Sequence, residues 1–213
     1  MKVSNRLLLI SAMFTVQPVL AVTQPQAIDM GTFQFIPTIG ISQSHNNNIF
    51  NQPNGTRSSG ISRFTPQLQW VAQKDANTLA ITYGGEYGIY ASSDNDDYQD
   101  HSFSADAFLE MNSRNKFTLG ASTERLHDNR GTGSSEGLAA TSRIEPDEYD
   151  LNGLSALWEY GADTARFGAS FNVAVADIEY SNNRLETQFR DRDEVSLQAR
   201  LYGRVQSKTR FFV

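Results

Sequence analysis

Cysteine is absent from this chain, proline occurs only six times in 213 residues, and histidine only three times. No apolar run is long enough to cross a membrane as a helix, which needs about 20 such residues. Each shortage excludes something. Without cysteine, an exported chain cannot rely on disulfides. A mean hydropathy of −0.45 argues against a helical membrane protein. Hydrophobic residues make up 39%, low for a conventional core in a chain of this length. Asp and Glu (24) outnumber Lys and Arg (18), for a net charge of −6. That balance argues against nucleic acid as the main partner, because phosphate contacts need clustered bases.

The first residues read as a targeting segment. Lys2 and Arg6 precede an apolar stretch, Leu7 to Leu20, broken by Gln17-Pro18. Val19-Leu20-Ala21 then supplies suitable residues at −3 and −1 of a signal peptidase site. Residues 1–21 are expected to be a secretory signal peptide, and residues 22–213 the mature domain.

What the chain has in quantity is alternation. Phe103, Ala105, Ala107, Leu109 and Met111 alternate with Ser102, Ser104, Asp106 and Glu110. Period two marks a strand with one apolar and one polar face. The pattern predicts eight strands, at about 33–43, 61–73, 78–91, 102–111, 116–126, 150–160, 166–177 and 194–205. Soluble strands average about five or six residues, whereas a tilted strand crosses a bilayer in about 9–11. These are of the longer kind. Mid-strand charges such as Glu86, Glu110, Arg200 and Arg204 would be costly in a small dry core and tolerable in a wet lumen.

The connections alternate long and short throughout. Those from Ser44, Ser92, Asn129 and Glu179 are long; those at Lys74, Ser113, Ala162 and Gln206 are short. Outer-membrane barrels have short periplasmic turns and longer outward loops. The fold expected is therefore all-β, an antiparallel up-and-down transmembrane β-barrel of a Gram-negative outer membrane. About eight strands are visible, and its N-terminus is periplasmic. Lipid would meet the apolar face, with Phe33, Phe35, Trp70, Tyr87, Phe103, Phe117, Trp158 and Phe167 near strand ends as aromatic girdles. The chain stops at Thr209-Arg210-Phe211-Phe212-Val213. Barrels commonly finish on a strand with a terminal aromatic that the barrel assembly machinery reads. Either a ninth strand begins at Arg210 and the sequence is a fragment, or about eight strands close before a periplasmic tail. Eight strands leave little free lumen.

These residues carry a family resemblance. "GISQSHNNNIF" (Gly40–Phe50), "SRFTPQLQW" (Ser62–Trp70) and "YGGEYGIYASSDNDDYQDHSFSADAFLEMNSRNKFTLGAS" (Tyr83–Ser122) resemble a family of outer-membrane β-barrel porins. Its members are often encoded with exopolysaccharide or capsule biosynthesis genes. The matching features are Asn47-Asn48-Ile49-Phe50, Pro66, the Tyr-rich strand, Asn95-Asp96-Asp97-Tyr98 and Asp100-His101. The likeness covers roughly Gly31 to Asp128 well and the rest by pattern. It implies no catalytic motif and no cofactor. It does imply a barrel that assists polysaccharide in leaving the cell.

Candidate site residues fall into two sets. Glu86, Tyr90, Asp106, Glu110, Glu124, Arg166, Arg200 and Arg204 are expected to line the lumen. They act either as a selecting channel wall or as mutually paired charges that plug a narrow barrel. Asp94, Asp96, Asp97 and Asp100 offer oxygen ligands for a cation or glycan, but lack the glycine and distal glutamate of an EF-hand loop. A hydrated acidic loop is the preferred reading, and no metal site is assigned. His45, His101 and His127 are read as solvated residues at loop bases. Adjacent residues on a strand point to opposite faces, so neither Asp100-His101 nor His127-Asp128 makes a dyad alone. The Gly131–Gly137 stretch matches neither a nucleophile elbow nor a nucleotide fingerprint, and is read as a flexible loop.

The expectation is a non-enzymatic, porin-like barrel passing exopolysaccharide or other polar solutes. Two alternatives stand beside it: a small structural or adhesive barrel with a plugged lumen, and an outer-membrane hydrolase. Rim carboxylates or histidines converging from different strands would favour the hydrolase.

Overall fold

The computed structural model describes residues 26–162, 165–206 and 209–212, with positions 141 and 204–212 as backbone only. The expected signal peptide therefore lies outside the described residues. Ten strands follow one another in chain order: β1 (Ile28–Met30), β2 (Phe33–Asn46), β3 (Ser59–Lys74), β4 (Asn77–Tyr90), β5 (Tyr98–Asn112), β6 (Asn115–Asp128), β7 (Asp147–Tyr160), β8 (Phe167–Tyr180), β9 (Arg192–Gln206) and β10 (Thr209–Phe212). Each pairs antiparallel with the next, giving a single up-and-down sheet. Among the described residues no pairing joins β10 back to β1. The eight expected strands are β2 to β9. The short strands β1 and β10 are additions, and β10 starts at Thr209, one residue before the expected ninth strand.

The long strands run for 14 to 16 residues, beyond the expected limits mainly at one end. Tyr98–His101, His127–Asp128, Asp147–Tyr149 and Ile178–Tyr180 continue the ladder where the alternation of apolar residues fades. That signal exists only where one face meets an apolar medium. A strand projecting past that band keeps its hydrogen bonds and loses its signature.

Register makes the two faces explicit. One row of paired residues reads Phe35, Trp70, Ile81, Ala105, Ala121, Leu154, Val175 and Val195 across β2 to β9. The adjacent row on the other face reads Gln69, Thr82, Ser104, Ser122, Gly153, Ala176 and Glu194 across β3 to β9. Aromatic pairs sit on the apolar face, Phe35 with Trp70 at 5.0 Å and Phe64 with Tyr87 at 6.1 Å. Pro66 stands mid-strand, and the β3–β4 pairing lapses at Thr65 and Pro66 before resuming in register at Gln67↔Gly84. A proline has no N–H to give the ladder.

The turns at 75–76 and 113–114 are tight. Asp75 takes a left-handed φ of 55°, which a short polar side chain tolerates. The turn at 207–208 lies outside the described residues. The opposite end carries four longer connections: L1 (47–58), L2 (91–97), L3 (129–146) and L4 (181–191). L3 contains helix α1 (Leu138–Ser142) and L4 contains helix α2 (Arg184–Thr187). Among the described residues, the buried apolar side chains of the strands lie near the long loops: Ile61, Tyr90, Tyr98, Ile178 and Tyr180. The main buried apolar cluster is Ile49, Phe50, Ile61, Tyr90, Tyr98 and Ala140, at the long-loop end.

Candidate functional site: the polar face and its cap

At mid-height the polar face is built from small side chains. Beside the row through Ser104 and Ser122 runs another of Val71, Ala80, Asp106, Gly120, Ser155, Ala174 and Ser196. A Cβ on Gly120 would lie 2.7 Å from Ser155 Oγ and 3.2 Å from Asp106 Oδ1. Apart from Glu194 at the β9 end, the larger charged residues sit above and below this zone.

Above it, toward the long loops, the polar face carries a bonded network. Arg63 Nε donates to the Tyr98 hydroxyl at 3.0 Å and lies 3.4 Å from Glu86 Oε1. Tyr98 in turn donates to Glu86. His127 stacks on the Tyr98 ring at 3.7 Å, with Nδ1 2.8 Å from Asp100 Oδ1 and Nε2 3.0 Å from Asn129 Oδ1. Just below lies a cavity of about 410 Å³, lined by Thr38, Gln67, Gly84, Glu86, Asp100 and Glu124 among others.

The remaining lumen candidates are spread along the sheet. Asp106 accepts from Ser104 Oγ at 3.3 Å. Glu110, Lys116, Glu159, Ser170 and Arg200 form one row near the short turns. Arg166 is exposed just before β8 begins, and the Arg204 side chain lies outside the described residues. Of these candidates, Glu86 and Glu124 border the same cavity.

Tyr90 departs from expectation. It lies on the polar face but is only 6% exposed, covered by the loops, and its hydroxyl donates to Asn129 Oδ1 at 3.1 Å. It cannot stack on a passing sugar in this state. The expected acidic loop departs further. Asp96 is 3% exposed, and both its oxygens accept from Arg130, at 2.7 and 2.8 Å. Asp97 Oδ1 accepts the Tyr90 amide at 2.7 Å. Asp100 belongs to β5 and faces His127. Asp94 and Asp97 remain exposed, though Asp97 is held by that amide. Opposite charge on L3 turned a hydrated loop into a folded one, because carboxylates leave water only when paired. Among the described residues no group of three or more His, Asp or Glu has the arrangement to hold a metal ion.

The histidines also divide. His45 is exposed. His101 Nδ1 lies 2.9 Å from the Tyr83 hydroxyl. His127 is not solvated, since its side chain is 7% exposed. A His–Asp pair from neighbouring strands is the convergence that favours a hydrolase. Here, however, both ring nitrogens are already engaged and the ring is covered by Tyr98. A base needs one free nitrogen facing a substrate, so this pair supports architecture.

The loops assemble into one cap. Gly137 N donates to Phe50 O at 2.9 Å and Asn51 Nδ2 to Gly131 O at 3.0 Å, tying L1 to L3. Gly131 has φ 92°, and a Cβ there would meet Ile49 O at 2.4 Å. Only glycine allows this backbone approach. L3 is tied to L4 by Arg143, which bonds Asp147 and, at 2.6 Å, Glu186. Arg190 reaches Asp147 at 3.0 Å and Asp128 at 2.5 Å, and lies 4.2 Å over the Tyr180 ring. Within L4, Arg184 Nη2 bonds Asp191 Oδ2 at 2.7 Å, and Asp191 Oδ1 accepts the Tyr180 amide at 2.9 Å. The guanidinium first, then that amide, hold the Asp191 carboxyl below its ordinary range. Arg63, Arg130, Arg143, Asp147 and Arg190 were not singled out from the sequence. Their one signal was opposite charge: the long loops hold arginines as well as the conspicuous aspartates.

The comparisons bear on the whole arrangement. A family model described as "putative beta-barrel porin 2" matches residues 21–213. The chain belongs to this family. That makes it a porin-like outer-membrane β-barrel protein, in keeping with the long antiparallel strands and the two-faced sheet. No curated protein matches the chain. No solved structure matches it either.

Proposed function

We propose that this protein is a non-enzymatic outer-membrane channel in which polar solutes pass along the polar face of the sheet, closed into a lumen. Backbone groups cannot stay unpaired in hydrocarbon. In lipid the sheet must therefore close, on itself or with further strands. The single observation that carries the reading is the mid-height polar face. Across β4 to β8 its two rows are Gly, Ser, Ala and Thr apart from Asp106, where a plugged barrel would carry large side chains. The apolar rows meet membrane lipid, the barrel assembly machinery inserts the chain, the short turns face the periplasm and the capped loops face outward. Glu86, Asp100 and Glu124 give the entry a polar, acidic lining. Exopolysaccharide is the proposed cargo on the strength of the family resemblance alone. Loss of the gene with no change in secreted polysaccharide would remove it.

The test is single-channel conductance of the refolded chain, residues 22–213, in a planar bilayer. Stable open steps support the channel. A second reading, a plugged structural barrel, draws on the interlocked cap. A β-rich, heat-modifiable species that never conducts would favour it.

A further inference from the structure

We propose that L1 and L3 form a lid over the channel mouth, and that Arg130 is its latch. This rests on the channel reading above. Ile61, Tyr90 and Tyr98 lie on the polar face, on three consecutive strands. What buries them is Ile49 and Phe50 of L1 and Ala140 of L3. The loops therefore fold inward, over the face that would line the lumen, and not outward over lipid. Under them sit the Glu86–Tyr98–Arg63 network and the cavity bordered by Glu86, Asp100 and Glu124.

One side chain joins three of the four loops. The Arg130 guanidinium holds both oxygens of Asp96 in L2 and lies 4.6 Å from the Phe50 ring centroid in L1. It also donates to Arg143 O within L3 at 2.7 Å. A fork of N–H groups suits this geometry, and a lysine could not reproduce it. The apolar contribution of the loops to the cluster is small, three side chains. Beside the backbone ties between L1 and L3, the Arg130–Asp96 pair is the buried ion pair that links L3 to L2, and breaking it leaves a carboxylate stranded. The lid also has hinges. Gly131, Gly133 and Gly137 have φ of 92°, 53° and 61°, bracketing the start of L3 and the approach to α1. Backbone of this kind swings without disturbing the ladder below it.

The experiment compares bilayer recordings of the refolded wild type, Arg130→Ala, Arg130→Lys, and a variant with residues 132–142 replaced by a short Gly–Ser link. Heat-modifiability on gels reports that the strands have formed in each. Arg130→Ala should raise the ratio of open to closed time by about tenfold or more. Arg130→Lys should fall between it and the wild type, and the shortened loop should match or exceed Arg130→Ala. Equal currents and open times in all four would overturn the lid. Opening by the shortened loop but not by Arg130→Ala would overturn Arg130 as the latch. Conductance in none of the four, with strands formed in all, would bring down the channel reading and the lid with it. If Arg130→Ala does not refold, Arg130→Lys carries the same comparison.

Discussion

The wall of the sheet and the cap above it handle burial in opposite ways. In the wall, Leu154 is 62% exposed and sits in an unbroken apolar row, while the face behind it carries serine and glycine. In the cap, the deeply buried groups include Asp147, Arg143 and Asp96, all charged. On the channel reading proposed above, the wall is an inside-out protein whose apolar face lipid would cover. The cap is an ordinary aqueous fold without enough apolar residues, held by pairing charge with charge. A solvent change should therefore disturb the wall, and loss of one charge the cap.

That contrast is sharpest at Asp147. Its carboxylate takes Arg143, Arg190 and Asn183 at 1% exposure. Asp147→Ala leaves two guanidinium groups facing each other, and breaking a buried pair costs about 3–5 kcal/mol. The loss should stay in the cap. Limited proteolysis should cut L3 and L4 much faster, while the folded species keeps its heat-modifiable mobility. Strand unfolding at the same time would show that wall and cap are one cooperative unit. The converse change is Leu154→Arg. A base on the lipid face near the bilayer midplane costs about 2–4 kcal/mol. Denaturant unfolding from vesicles should record that loss with L3 and L4 no more cleavable than before. An unchanged midpoint would mean that this row does not face hydrocarbon.

The same division explains what could be read in advance. The wall was legible because alternation reports the medium on each side: Phe103 to Met111 and Phe167 to Val175 mark β5 and β8 residue by residue. Beyond the apolar band the signal vanishes. Tyr98 and Asp100 thus looked like loop, although they pair within β5. The cap was not legible, because its order comes from contacts between residues far apart in the chain. Asp96 meets Arg130, Phe50 meets Gly137, and Asp147 meets Arg190. Nothing local in an Asn-, Asp- and Gly-rich segment distinguishes a hydrated loop from one whose charges find partners in the next. Glu86 and Glu124 share the polar face by parity, and both border one cavity there. Tyr90 shared their parity, but parity is blind to what lies on top of a residue.

Smaller changes refine the boundary between the two regions. The Tyr180 ring belongs to the polar face of β8, yet its hydroxyl donates to Asp128 Oδ2 at 3.2 Å beneath Arg190. Tyr180→Phe removes one hydrogen bond to a charged group and keeps the ring under the guanidinium. About 1.5–3 kcal/mol of local stability should go. Hydrogen exchange of the L4 amides should show it, with the β8 ladder unaffected. Uniform protection across L4 would place the contribution in the ring alone.

The mildest probe is pH. Asp191 ties the two ends of L4 through Arg184 and the Tyr180 amide, and its carboxyl titrates below the ordinary range in the folded protein. A folded-state value below the unfolded one means that the contact adds stability above the unfolded value, about 3.9. That contribution fades as pH falls through the lower, folded value. Between neutrality and about pH 5 the L4 amides should therefore exchange at a constant rate, once the intrinsic pH dependence is removed. Only in more acid solution should L4 loosen. Asp191→Asn should abolish that acid step and leave L4 somewhat looser at neutral pH. Because the pair is exposed, salt should weaken it as well. The buried Arg130–Asp96 pair at the other end of the cap should be much less affected by the same salt. If both pairs responded alike, the cap would not be the dry, charge-locked structure that sets it apart from the wall.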